Sequence, residues 1–430
     1  MAAQKPRSVT IRSYDVGFGD CFLLSFEYPS SHRHVLIDFG SMANPKGKTE
    51  GGQAIKGSYM VRIAKQIEQD CGGKLDAVVA THRHKDHISG FARGKGKGPG
   101  EIIRGLNPRV VIQPWTEDPR TPVGATGPTQ ALHKRSLRLM QQLAAELVQA
   151  GTKLKGARFA SLRAELQAIG MDNIKNADAV KNLQDMGRNH FVHYRRASGL
   201  AGILPGVQVT VLGPPTVDQT NTVLEQRERD PDEFWHLNTT FWRRFAATAR
   251  RHAPGSKPLF QRSAIGYLPR SAGWFRYRMR AERAQSLLAI VRMLDEVMNN
   301  TSIILLFETG GRKLLFPGDA QYENWMHALG KPAIRDKLAS VDVYKVGHHG
   351  SLNATPKTLW RGFTRKGAAS KPGRLETLMS TKEGVHGKPE NDSEVPRSKL
   401  VNALKAESAM TSTERFAPEE LSRSVKLDLQ

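Results

Sequence analysis

The segment Thr81-His82-Arg83-His84-Lys85-Asp86-His87 carries three histidines and an aspartate within six residues. It follows directly on Leu75-Asp76-Ala77-Val78-Val79-Ala80, a short run rich in small and β-branched residues that begins after Gly72-Gly73. Such a run reads as a buried strand. The chain therefore leaves a rigid element and at once presents nitrogen and carboxylate donors. His82 and His84 are two residues apart, so in an extended loop their rings point the same way. Two converging imidazoles suit a metal such as zinc. Asp86 and His87 follow and can face a second ion. The plain alternative is a solvated surface loop, but with 14 histidines in 430 residues such a cluster is a rare accident.

Upstream, Ser8 to Tyr14 alternates as a strand does, and Asp15-Val16-Gly17-Phe18-Gly19-Asp20 is a turn rich in Gly and Asp. Cys21 to Phe26 reads as a second strand, and His34-Val35-Leu36-Ile37-Asp38-Phe39-Gly40 as a third. Ala54 to Asp70 predicts a helix, with Ile55, Tyr59, Ile63 and Ile67 at spacing four and Gly72 as its stop. Downstream, Gly94-Lys95-Gly96-Lys97-Gly98-Pro99-Gly100 predicts a flexible basic loop, and Arg109 to Gln113 another strand. Residues 117–199 are polar and helical in pattern and hold no donor cluster, so they read as an insertion.

The strand Gly206 to Leu212 within residues 200–215 returns to the core. Residues 216–298 form a second, basic insertion. Between Phe241 and Arg283 there are eleven Lys or Arg and one acidic residue, Glu282, interleaved with eight aromatic residues. Arginine offers phosphate contacts and planar stacking, and aromatic faces accept bases. Arg276, Arg278 and Arg280 alternate with Tyr277 and Met279, which in an extended segment puts all three on one anion-binding face. Asn299-Asn300 suits a helix C-terminus. Thr301 to Phe307 and Lys313 to Phe316 then make a hairpin about Gly310-Gly311. Pro317-Gly318-Asp319 places a carboxylate at a strand end, and Val341 to Val346 runs into Gly347-His348-His349-Gly350-Ser351. Leu375 to Ser380 is one more strand, Ser398 to Ala406 a helix, and residues 411–430 a polar, poorly ordered tail.

The HxHxDH pattern of His82, His84, Asp86 and His87 resembles the signature of the metallo-β-lactamase-fold metallohydrolases. The Val16-Gly17-Phe18-Gly19-Asp20 turn, the Ile37-Asp38-Phe39-Gly40 strand end, Leu314-Leu315-Phe316-Pro317-Gly318-Asp319 and Val343-Tyr344-Lys345-Val346-Gly347-His348-His349-Gly350-Ser351 resemble its other motifs in order. The Gly347-His348-His349-Gly350-Ser351 form, with Asn299-Asn300-Thr301-Ser302 ahead of the hairpin, looks most like the branch that includes the hydrolase-like domain of bacterial DNA-uptake channel (competence) proteins and its stand-alone relatives. The likeness covers roughly residues 8–116, 205–215 and 299–405, and neither insertion. The resemblance implies an α/β fold, an αββα metallo-β-lactamase-type sandwich with two helical insertions, its core divided between residues 8–116 and 299–410. It implies that His82 and His84 hold a first metal, that Asp86, His87 and one of His348 or His349 hold a second, and that Asp319 bridges them. Asp38 would support the loop without ligating. Asn299 and Asn300 stand where most members carry a third histidine for the first metal. The cofactor implied is Zn²⁺, one ion or two, with Mn²⁺ open. His190, His193 and His236 lie in the insertions and could supply the missing ligand.

Composition agrees with an anionic partner. Lys and Arg number 64 against 41 acidic residues, a net charge of +23, which favours nucleic acid or another phosphate-bearing anion. The two cysteines, Cys21 and Cys71, make no disulfide framework. No apolar run is long enough to span a bilayer and no signal peptide stands at the start, so a cytoplasmic protein is expected. The function expected is metal-dependent hydrolysis by a metal-activated hydroxide, a phosphodiesterase or nuclease. Hydrolysis of a small ester, thioester, lactone or β-lactam is open on the same core, as is a non-catalytic nucleic-acid-binding module.

Overall fold

The computed structural model of the chain describes residues 5–118, 176–216, 219, 299, 301–351, 354–385 and 394–429. All lie in one of the two units into which the chain divides, the one made of residues 1–138, 172–224 and 295–430. Its strands are β1 (Ser8–Tyr14), β2 (Cys21–Tyr28), β3 (Ser31–Phe39), β4 (Thr49–Glu50), β5 (Gln53–Ala54), β6 (Ala77–Val79), β7 (Val110–Pro114), β8 (Arg188–Val192), β9 (Gln208–Gly213), β10 (Ile304–Thr309), β11 (Arg312–Phe316), β12 (Val343–Lys345), β13 (Glu376–Met379), β14 (Ala409–Ser412) and β15 (Ser422–Asp428). One sheet has the order β15-β1-β2-β3-β6-β7-β8 and the other β14-β13-β12-β11-β10-β9, while β4 and β5 form a small hairpin. In the first sheet β3, β6, β7 and β8 run parallel and the rest antiparallel. In the second, β11 to β14 are parallel and β9 to β11 antiparallel.

Successive side chains of a strand point to opposite faces, and here both faces are apolar. Phe22, Leu24, Val35 and Ile37 turn one way and share a core with Val211, Leu305, Phe307, Leu314 and Phe316 of the second sheet. The Phe22 and Phe316 rings meet edge to face with centroids 5.9 Å apart. Leu23, Leu36, Val78 and Val111 turn the other way and pack under helices Tyr59–Asp70, Pro99–Gly105 and Ala177–Asp185. On the outer face of the second sheet, Leu306, Leu315 and Tyr344 lie under helices that bring Trp325, Leu338, Leu359 and Leu404. The class is mixed α/β, with two sheets sharing an apolar core.

Four stretches differ from their sequence reading. Within residues 117–199, helix Ala177–Asp185 and strand β8 belong to the first sheet, where β8 pairs with β7 from Val110↔Arg188 to Pro114↔Val192. Only Phe191 and Val192 of β8 are buried, so an edge strand wrote almost no apolar signal. The supposed polar tail, residues 411–430, contains the end of β14 and all of β15, and β15 pairs with β1 along its whole length, Ser8↔Asp428 to Tyr14↔Ser422. Charged residues alternate along β15, as suits a sheet edge, while Val425 and Leu427 lean on the core. The glycine-rich basic stretch is ordered too: a 3₁₀ turn over Gly94–Gly96 leads into the helix starting at Pro99, where a missing N–H costs nothing. The first long helix begins at Tyr59 rather than Ala54, because Ala54 is taken into the β4–β5 hairpin. No helix among the described residues is long and apolar enough to cross a membrane. Cys21 and Cys71 are free and buried.

Candidate metal centre

The first sheet delivers its donors from the end of β6. There the Ala80 amide donates to the Ile112 carbonyl, 2.9 Å away, and the chain turns through Thr81–His84 into the short helix Lys85–Ile88. Asp38, just before the end of β3, holds this turn. Its carboxylate accepts from the Thr81 amide and hydroxyl, each at 2.7 Å, and its Oδ2 lies 2.8 Å from His87 Nδ1. With Nδ1 donating to a carboxylate, Nε2 of His87 is aimed away from it. Gly40 packs its backbone on the same turn, and a Cβ there would stand 2.4 Å from the His87 nitrogen. The Asp20 amide donates to the Asp86 carbonyl at 2.9 Å.

The second sheet delivers from the ends of β11 and β12. Gly318 takes φ +56 and lies so close to Thr81 that a Cβ would be 2.7 Å from its Cβ, which sets Asp319 against the first sheet's turn. After β12, His348 and His349 both adopt left-handed backbone, φ 46 and 52. Two successive non-glycine residues in that region are costly and occur where the surroundings compel them. His349 Nδ1 donates to the Ser380 carbonyl at 3.0 Å, which again leaves Nε2 turned inward.

Four buried residues converge from the two sheets. Asp86, His87, Asp319 and His349 each offer an atom, all within 4.8 Å of one another. His349 Nε2 is 3.1 Å from Asp86 Oδ2 and 3.6 Å from Asp319 Oδ2. His87 Nε2 and Asp319 Oδ2 are 2.9 Å apart without hydrogen-bond alignment. Asp86 Oδ1, His87 Nε2 and both Asp319 oxygens are buried with no hydrogen-bond partner. Buried polar atoms are seldom left so. Two imidazoles and two carboxylates aimed at one point fit a divalent ion such as zinc or manganese.

The electrostatics point the same way. Burial alone would raise the carboxyls and lower the imidazoles. Burial does work against Asp86 and Asp319, yet the histidines around them outweigh it and hold both below the usual carboxylate range. Burial also pulls His87 and His349 down, but Asp319, Asp38, Asp20 and Asp86 outweigh it and hold the rings above their ordinary value. His82, buried beside two other imidazoles, is pushed well down. The cluster is thus short of positive charge. One cation is built in: Lys345, buried at the end of β12, pairs with Asp20, donates to the Gly318 carbonyl at 3.2 Å and lies 3.6 Å from Asp319 Oδ1.

The sequence-derived residues are sorted by this geometry. Asp86, His87 and Asp319 come together, and of the histidine pair it is His349 that joins them. His348 stands at the rim, its side chain 26% exposed and its Nε2 3.8 Å from Asp319. His82 and His84 converge, but on each other, Nε2 to Nδ1 at 3.0 Å. They belong to no group of three or more close donors among the described residues, and neither do His190 and His193. Asn299 is buried, its Oδ1 without a hydrogen bond and its carbonyl accepting from the Ser302 amide at 3.0 Å. Asn300, His236, Arg276, Arg278 and Arg280 lie outside the described residues. Reading the sequence missed Lys345 and the inward role of Asp20. A lysine inside the apolar run Val343-Tyr344-Lys345-Val346 was the available signal. A scan of protein-family models finds no match to this chain, and neither does a search of curated proteins.

Proposed function

We propose that this chain is a metal-dependent hydrolase with a metallo-β-lactamase-type αββα fold, and that its substrate is a phosphodiester, as for a phosphodiesterase or nuclease. The observation that carries the reading is the convergence of four buried donors, Asp86, His87, Asp319 and His349, with orphaned atoms facing one another. These four would hold a divalent ion, zinc or manganese, and His82 with His84 would offer imidazoles to a second. The chemistry such an ion supplies is activation of water at neutral pH and neutralisation of charge on the group under attack. The protein's own part is to fix the donors. Asp38 and the Ser380 carbonyl each hold one ring by Nδ1, so that neither imidazole turns away. His348, at the rim and near Asp319, is placed to hold a proton for a leaving oxygen. The +23 charge and the arginines of the second insertion favour a phosphate-bearing substrate. A cytoplasmic location belongs to the same proposal.

Elemental analysis together with a substrate panel tests this. Purified protein reconstituted with Zn²⁺ or Mn²⁺ is expected to hold one to two ions per chain. Asp86→Ala combined with His87→Ala is expected to lose at least one. The loaded protein is expected to cleave bis(p-nitrophenyl) phosphate or single- or double-stranded nucleic acid in preference to ester and lactam substrates. A chain that stays metal-free, or one that turns over only esters or lactams, would refute the reading.

A further inference from the structure

The four donors come in pairs from different sheets: Asp86 and His87 from the turn after β6, Asp319 and His349 from the ends of β11 and β12. Something must keep the two pairs in register. Lys345 is the one lysine among the described residues that is nearly inaccessible and directed at this seam, 2% exposed against 1% for its partner Asp20. Its ammonium group has three partners, one hydrogen bond to a carbonyl and two ion-pair contacts with carboxylates. Two are on its own sheet's side, the Gly318 carbonyl and the Asp319 carboxylate. The third is Asp20, from the turn before β2 of the opposite sheet. Asp20 is itself tied by its amide to the Asp86 carbonyl, and its carbonyl accepts from the Gly40 amide at 3.1 Å. On the far side, Phe18 of the same turn lies against the His349 ring, centroids 4.4 Å apart. A continuous path thus runs from Asp319 through Lys345 and Asp20 to the backbone of Asp86.

We infer that Lys345 and Asp20 form a strut that sets the distance between the two halves of the metal centre, and that they act as positioning residues for the ligands without ligating themselves. The inference rests on the proposed metal-dependent function. It separates from a plain charge-balancing role because the pair is neutral as a whole. Lys345→Met with Asp20→Asn removes one positive and one negative charge. The net charge of the site, and with it the broad attraction for a cation, stays the same, and no buried charge is left uncompensated. The link between Lys345 and Asp20 is lost.

The test measures Mn²⁺ and Zn²⁺ affinity by titration calorimetry on the full chain, alongside its melting temperature without metal. Lys345→Met alone leaves Asp20 buried without its lysine, with only the His349 and His87 rings at 3.5 and 3.7 Å beside it, so its melting temperature falls. The double variant is expected to melt near wild type yet to bind metal about 10–100-fold more weakly, the usual effect of losing the groups that orient metal ligands. If the double variant recovers wild-type affinity together with wild-type melting, the pair only balances charge and the inference is overturned. Should the double variant melt well below wild type, Asp20→Glu serves instead. It keeps the charge pair but lengthens the strut by one methylene, and affinity equal to wild type would overturn the inference. A wild-type chain that binds neither ion refutes the proposed function itself, an outcome distinct from wild-type binding that the variants leave unchanged.

Discussion

Each ring nitrogen of His87 stands against a carboxylate, Nδ1 at 2.8 Å from Asp38 and Nε2 at 2.9 Å from Asp319. The two contacts differ in kind. The first is a hydrogen bond that orients the ring, and the second lacks the alignment of one. Asp319 is therefore the sharper test of the centre. Asp319→Asn keeps the shape and removes the charge, and it is expected to lower turnover on the best substrate more than about 100-fold, beyond the loss typical of supporting residues. Circular dichroism should show the fold intact, and near wild-type turnover would remove Asp319 from the site. At this scale the sequence was readable where donors crowd together after an apolar run, as at His82–His87. It was also readable where a carboxylate closes a strand, as at Asp319. It was not readable for Lys345, because a lysine in a strand can as well point to solvent, and only the partner turn decides. Nor could spacing separate His348 from His349. Their surroundings do, since the Ser380 carbonyl holds the buried His349 ring while His348 stays at the rim.

The turn Asp15–Asp20 gains its rigidity from elements far along the chain. Lys48, beside the β4–β5 hairpin, pairs with Asp15 at 2.7 Å and donates to the carbonyls of Ala417 and Glu420, both at 2.9 Å. The Asp15 amide donates to the Leu421 carbonyl at 2.9 Å. Both charges are nearly inaccessible, so removing one strands the other. Lys48→Met is expected to cost about 3–5 kcal/mol in denaturant unfolding at neutral pH. The sign with pH follows from Asp15. Burial raises its carboxyl above the ordinary value, and Lys48 opposes that rise. A carboxyl raised in the folded state favours folding below its unfolded value, and that contribution is lost as pH rises through the folded value. Without Lys48 the rise is larger, so the loss of stability in Lys48→Met should shrink on acidification. A deficit that is constant with pH would place the pair's worth elsewhere. Elements with continuous apolar runs, such as β2, β3 and β10, were legible in the sequence because both of their faces are buried. The edge strands β8 and β15 were not, since an edge strand is half solvated and its charges read as loop.

For the whole molecule, the +23 charge gives a property separable from the chemistry of the centre. If the substrate is nucleic acid, each phosphate neutralised releases counterions, and the log–log salt slope changes by about 0.7 to 0.9 per contact. Replacing Arg276, Arg278 and Arg280 by Ala is expected to weaken binding and flatten that slope by roughly two to three units, with turnover of a small uncharged ester nearly unchanged. An unaltered slope would take this cluster out of the interaction. The α/β class was legible from the order of strands and helices, whereas the chain's division into two units left no mark in composition that fixed its boundaries. The placement of the four donors has a last consequence. Asp86 and His349 are 263 positions apart in the chain, and each belongs to a different sheet. Anything that grips both closes a very long loop, as a disulfide would, with the entropic leverage on the unfolded chain that such a closure brings. If the proposed ion is held there, a chelator would act on this protein as a reductant acts on a disulfide-linked one, removing one tie between two sheets that also share an apolar core.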